Sequence, residues 1–80
     1  MMMRKIISLL ASDNHLLLIE FDNGTKKTFD LKPFLSLPVF EGLSNPGEFK
    51  KVINKGYFIE WPKLEVDLSA DTLWHEGVLN

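Results

Sequence analysis

Two imidazoles, His15 and His75, are the residues most suited to metal or acid–base chemistry, and they stand far apart in the chain. A metal centre needs several ligands converging in a fixed geometry, and no His-x-x-x-His or comparable spacing is present. No metal or cofactor is therefore expected. Asp67 and Asp71 are four residues apart, but paired acid–base work needs two carboxylates in contrasting environments at a pocket. Turn and cap chemistry explains Asp30, Asp67 and Asp71 without it. Ser8, Ser12, Ser36, Ser44 and Ser69 have no nucleophile-elbow context. Gly24, Gly42, Gly47, Gly56 and Gly77 are dispersed, so no glycine-rich phosphate loop is formed. No catalytic residue is assigned on these grounds. Phe40, Trp61 and Trp74 are instead candidates for contact with a partner, since large aromatics concentrate at interface hot spots. Each has a core reading beside the interface reading.

Lys26-Lys27, Lys50-Lys51 and Lys55 could form a basic rim, with Tyr57, Trp61 and Trp74 as stacking platforms for bases. The balance of nine basic and eleven acidic residues, net charge −2, opposes a nucleic-acid surface built on bulk charge. Nucleic-acid binding is accordingly a minor reading. The chain has no cysteine, which removes disulfides, thiolate zinc sites and a thiol nucleophile, and points to a reducing cytoplasm. The opening Met1-Met2-Met3-Arg4-Lys5-Ile6-Ile7 sets two charges before apolar residues, but the apolar run stops at Ala11, too early for an export signal. No run approaches a membrane span, so no membrane partner is expected.

Eighty residues make one domain, 1–80, and 45% hydrophobic residues are enough to build a core. Residues 4–11 predict a first strand, with Ile7, Leu9 and Ala11 on one side and Ile6, Ser8 and Leu10 on the other. Residues 16–21 predict a second. After Asp22-Asn23-Gly24, a three-residue loop with Gly24 left-handed sets Phe29 opposite Leu17 and Glu20 against Lys26, which keeps the two faces distinct. Asp30 is placed to cap a short turn over residues 31–35, with Phe34 and Leu35 toward the sheet, and Val39 and Phe40 are further core candidates. Asn45-Pro46-Gly47-Glu48 predicts a helix start with Glu48 in the capping-box position. Residues 52–54 and 57–61 predict a hairpin through Lys55-Gly56, with Tyr57, Ile59 and Trp61 on one face. Pro62 ends regular pairing. Ser69 then caps a final helix about two turns long, Leu68 and Leu73 forming its staple and Gly77 its stop.

Phe21-Asp22-Asn23-Gly24, Asp30-Leu31, the series Phe40, Leu43, Pro46 and Phe49, and the closing Trp61-Pro62, Asp67-Leu68, Asp71 and Leu73-Trp74 resemble the pattern of a family of small, mostly bacterial domains known only as a domain of unknown function. The resemblance covers nearly the whole chain. It implies an α+β fold with an antiparallel sheet and no established activity. It also implies a neighbour: members are often encoded beside another small protein in arrangements that look like toxin–antitoxin pairs. Some longer members carry a C-terminal helix-turn-helix, for which a chain ending at Asn80 leaves no room.

The sequence thus predicts an α+β domain, with a small antiparallel sheet made of a three-stranded meander plus a hairpin, and short helices, the last at the C-terminus. Its expected function is a cytoplasmic, non-enzymatic protein–protein interaction domain, antitoxin-like toward a small protein encoded nearby, and self-associating as a homodimer through an exposed edge. The alternatives are a small-ligand or enzymatic site near the C-terminal helix, around Asp67, Asp71 and His75, and a weak nucleic-acid-binding surface.

Overall fold

The computed structural model describes residues 4–80. Met1, Met2 and Met3, the start of the leader-like segment, lie outside the described residues. Strands β1 (Ile6–Ala11), β2 (Leu16–Phe21) and β3 (Lys26–Asp30) form the antiparallel meander. Leu17 stands opposite Phe29 and Glu20 opposite Lys26, the register of the three-residue loop. Gly24 supplies the left-handed residue at φ +87°, a conformation that costs glycine nothing.

Beyond the meander come short single-turn pieces. Asp30 accepts from the N–H of Lys32 at 2.9 Å, but it stands one residue before the cap position of the 3-10 turn Lys32–Phe34, which Leu31 fills without a side-chain bond. A second 3-10 segment, Pro38–Ser44, buries Phe40 and Leu43. Val39, expected inside, points out. Helix α1 (Pro46–Phe49) is capped by Asn45, whose side chain accepts from Gly47 N–H at 2.8 Å. Glu48 does not close a capping box; its carboxylate lies 3.2 Å from Lys51 Nζ and 3.3 Å from Lys63 Nζ.

The hairpin of β4 (Ile53–Asn54) and β5 (Phe58–Trp61) comes next, as expected. Ile59 and Trp61 are buried, while Tyr57 at the head of the strand is exposed. Pro62 does stop β5, but the chain then reverses rather than running directly into the helix. A 3-10 turn, Pro62–Leu64, and Glu65 at φ 54° bring β6 (Val66–Ser69) back antiparallel to β5. Helix α2 (Ala70–Glu76) starts at Ser69, whose hydroxyl accepts from Thr72 N–H at 3.0 Å. It ends at Gly77, and β7 (Val78–Leu79) adds a fourth strand beside β3.

Two antiparallel sheets result, in the orders β1-β2-β3-β7 and β4-β5-β6. The meander and the hairpin of the α+β prediction are both present, each extended by a strand that the sequence pattern did not announce. The core lies between the inner face of the first sheet and the second sheet with α2: Leu17, Ile19, Phe21 and Phe29 meet Ile59, Trp61, Val66, Ala70 and Leu73 in one buried cluster.

The faces of β1 differ from the expectation for a physical reason. Ile6 pairs with Phe21 but Ser8 pairs with Glu20, so Ile7 is an extra residue in a β-bulge. The bulge resets the alternation. Ile6, Leu9 and Ala11 therefore share the inner face, and Ser8 and Leu10 the outer one.

Candidate interaction face

The outer face of the four-stranded sheet carries an apolar row across its whole width. Leu10 is paired with Leu18, Leu18 with Thr28, and Thr28 with Val78. In an antiparallel sheet, side chains of directly paired residues stand side by side on one face. Leu10 is 63% exposed, Leu18 37% and Val78 70%. A sheet with one face in water ordinarily alternates apolar inside with polar outside. The row on one side of it is polar, Ser8, Glu20, Lys26 and the terminal Asn80, whose N–H donates to Lys26 O, and the row on the other sets half-buried Leu16 against Asp30.

At Val78 the row opens into a surface cleft of about 370 Å³, lined by Thr28, Phe29, Pro33, Phe34, Glu76 and Val78, with Asp30 at its rim. The Phe29 and Phe34 rings stack at 5.4 Å. Burial pushes the Asp30 carboxyl up, but the Lys32 backbone N–H and ammonium outweigh it and hold the group below its ordinary 3.8. The cleft thus has two stacked aromatic rings in its lining together with two carboxylates, that of Asp30 paired with Lys32 at 3.2 Å.

The aromatic residues singled out in the sequence lie elsewhere. Phe40 and Trp61 are buried in the core. The indole N–H of Trp61 donates to Phe49 O at 2.8 Å, and the two rings stack at 6.0 Å. Trp74 is half-buried on α2, with the Phe21 ring edge-on at 5.0 Å and the Arg4 and Lys27 cations each 4.2 Å from its ring centre. Lys27 also donates to Trp74 O. The contacts around Trp74 tie the start of the chain, β3 and α2 together, with a cation–π contribution from both cations.

Asp71 and His75 come together on α2, and Asp67 stands on a different element. Asp67 stands on β6 opposite Glu60, whereas Asp71 stands on α2, 3.1 Å from Arg4 Nη1 and 3.9 Å from His75 Nε2. His15 holds the fold instead: its Nε2 lies 2.8 Å from Leu43 O, which requires the proton on that nitrogen, and its ring packs 5.0 Å from Phe49. No group of three or more potential metal ligands occurs among the described residues.

The basic residues are largely engaged. Lys50 pairs with Asp13, Lys51 and Lys63 with Glu48, Lys55 with Glu60, and Lys27 is held on Trp74. The Lys51 and Lys63 hydrogen bonds keep the Glu48 carboxyl below its ordinary 4.5. None of the described helices is long and apolar enough to cross a membrane.

The row of Leu10, Leu18 and Val78 was not among the candidates drawn from sequence. Part of its signal was present, since the three-residue loop that buries Leu17 and Phe29 must turn Leu18 and Thr28 outward. Leu10 was hidden by the bulge, and Val78 by the unannounced last strand.

Among protein families, the model described as "Protein of unknown function (DUF2442)" matches residues 6–78. No curated protein and no solved structure matches the chain.

Proposed function

The chain belongs to the DUF2442 family of proteins of unknown function, and from that premise we propose that it is a cytoplasmic, non-enzymatic protein-interaction domain that docks a partner on the outer face of its four-stranded sheet. The observation that carries this reading is that Leu10, Leu18 and Val78, with half-buried Thr28 between the last two, stand exposed in one row where a solvated sheet face would be polar. Exposed apolar surface rimmed by polar residues is a mark of protein contact. Burying it would yield about 25 cal/mol for each Å² removed from water. The cleft at the end of the row, lined by Phe29, Phe34 and Glu76 among others, suits a partner that follows an apolar strip with a side chain basic enough to meet Glu76. The partner class that suits the family is a small protein encoded beside this one, which this chain would bind in the manner of an antitoxin.

The gene neighbourhood tests the reading first, since the lack of any small adjoining reading frame would sink it, and co-expression with such a frame tests it next. The two products should copurify, and Leu18→Glu combined with Val78→Glu should abolish copurification while leaving the urea midpoint of the isolated chain nearly unchanged, because both side chains lie on the outer face, outside the buried core. Copurification that survives the double substitution would place the contact on another surface and sink the proposal.

A further inference from the structure

A second surface, the free edge of β1, adjoins the docking row at Leu10. Ser12 N–H donates to Leu16 O, and the register continues through Leu10 with Leu18 and Ser8 with Glu20. By the alternation of antiparallel ladders, the backbone groups of Ser8, Leu10 and Ser12 turn toward β2, and those of Leu9 and Ala11 turn away from it. No backbone partner for Leu9 or Ala11 on that side occurs among the described residues. The start of the strand is closed: Ile6 N–H donates to Gly56 O at 2.7 Å, Asn54 Nδ2 donates to Ile6 O at 3.0 Å, and the bulge at Ile7 interrupts the ladder beside them.

The other sheet edges are protected in familiar ways. β4 and β7 are two residues long. β6 presents Asp67 at an outward position, since Ala70 N–H bonds Tyr57 O and the ladder alternates from there, and it passes directly into α2. β1 alone offers a longer edge of Ser8-Leu9-Leu10-Ala11, with no charge and no proline.

We propose that two copies of this chain pair antiparallel along that edge, about a two-fold axis that sets Leu10 against Leu10 of the partner subunit. Leu9 and Ala11 then exchange both backbone hydrogen bonds with Ala11 and Leu9 of the partner subunit. An uncharged edge paired with itself meets no like charge. The outer face selects this register: Leu10 meets its own copy in a non-hydrogen-bonded pair, where side chains approach closest, and Ser12 falls beside Ser8 of the partner subunit. The two apolar rows become one, running from Val78 to Val78 across a continuous sheet. A two-fold register centred on Ala11 would set Leu10 beside Ser12 of the partner subunit and lose the contact between the two Leu10 side chains, and one centred on Leu9 would bring Ser12 of the partner subunit beside Ile6. Gly56 and Asn54 already occupy that place.

The absence of cysteine makes the register directly testable. In a non-hydrogen-bonded pair the two Cα atoms are about 4.5 Å apart, within reach of a disulfide. Leu10→Cys in the full chain should therefore give a covalent dimer under mild oxidation. Leu18→Cys, one strand further from the axis, should not, because two extra strand spacings put the copies roughly 14 Å apart. Sedimentation of the unmodified chain at micromolar concentration should give twice 9.2 kDa, and Ala11→Pro, which deletes an edge-facing N–H and none of the hydrogen bonds to β2, should return it to monomer with unchanged circular dichroism. A monomer mass at every concentration overturns the proposal. So does cross-linking of Leu18→Cys as fast as Leu10→Cys, which would mean stacking of the faces, or a dimer that survives Ala11→Pro. The result is independent of the docking reading, for Leu18→Glu with Val78→Glu should leave this dimer intact.

Discussion

An imidazole N–H at position 15 satisfies a carbonyl that no backbone group reaches. Leu43 is fully buried at the end of the second 3-10 segment, and its oxygen accepts from His15 Nε2 at 2.8 Å. His15 is held there by an unusual backbone, φ 66°, with its own carbonyl accepting from Leu31 N–H at 3.0 Å. A residue that attracts notice as a possible ligand is thus a cross-brace between the β1–β2 turn, the meander and the segment carrying Leu43. His15→Asn tolerates the left-handed backbone but cannot reproduce the bond or the contact with Phe49. It should cost about 1–3 kcal/mol, the penalty of an unsatisfied buried acceptor, read from urea denaturation. A loss of a few tenths would show that water replaces the imidazole.

Helix α2 is only seven residues long, and isolated helices of that length do not persist in water. Its ends and its packing must hold it. Ser69→Ala removes the hydroxyl that accepts from Thr72 N–H and should cost about 1 kcal/mol. Gly77 closes the helix by a different device from the left-handed cap, since its φ is −77° and its N–H donates to Leu73 O at 3.0 Å. What glycine provides here is closeness. A Cβ at that position would lie 2.6 Å from Leu73 O and 3.2 Å from Lys27 Cβ. Gly77→Ala should therefore push β7 off β3 and cost about 1–3 kcal/mol by overpacking. Faster amide exchange at Val78 and Asn80 than in Ser69→Ala would assign the loss to β7 rather than to the helix.

At the scale of the whole molecule, the two sheets are joined at the start of β1. Asn54 bridges them: its Nδ2 donates to Ile6 O at 3.0 Å and its Oδ1 accepts from Gly56 N–H at 2.8 Å, while Gly56 O takes the N–H of Ile6. Asn54→Ala breaks the side-chain half of this junction and leaves the bond between Ile6 and Gly56. The expected cost is about 0.5–1.5 kcal/mol for each net hydrogen bond lost. Hydrogen exchange should accelerate in β4 and β5 and remain slow in β2 and β3. Uniform acceleration across both sheets would instead mean that they open as one unit.

The chain's local chemistry determined much of this architecture. The apolar runs bounded by turn residues mark β2 and β5, the three-residue loop places β3 and fixes the register of Leu17 on Phe29, and Asn45 and Ser69 mark the helix starts, because each depends on neighbours a few residues away. The tertiary structure decided the rest. Whether Val66–Ser69 pairs with β5 depends on Glu65 entering the left-handed region after Pro62, and β7 exists only because Gly77 lets the chain end lie against Lys27. The bulge at Ile7 is required by the simultaneous pairing of β1 with β2 and with Gly56, and it sets Leu9 rather than Leu10 beside Ile6 on the inner face. The indole of Trp61 is spent on Phe49 O, a contact no spacing rule encodes. The row of Leu10, Leu18 and Val78 joins residues from three separate parts of the chain, and hydrophobicity alone does not say which of them remain uncovered. That is decided by the area each strand finds to pack against, which is a property of the folded whole.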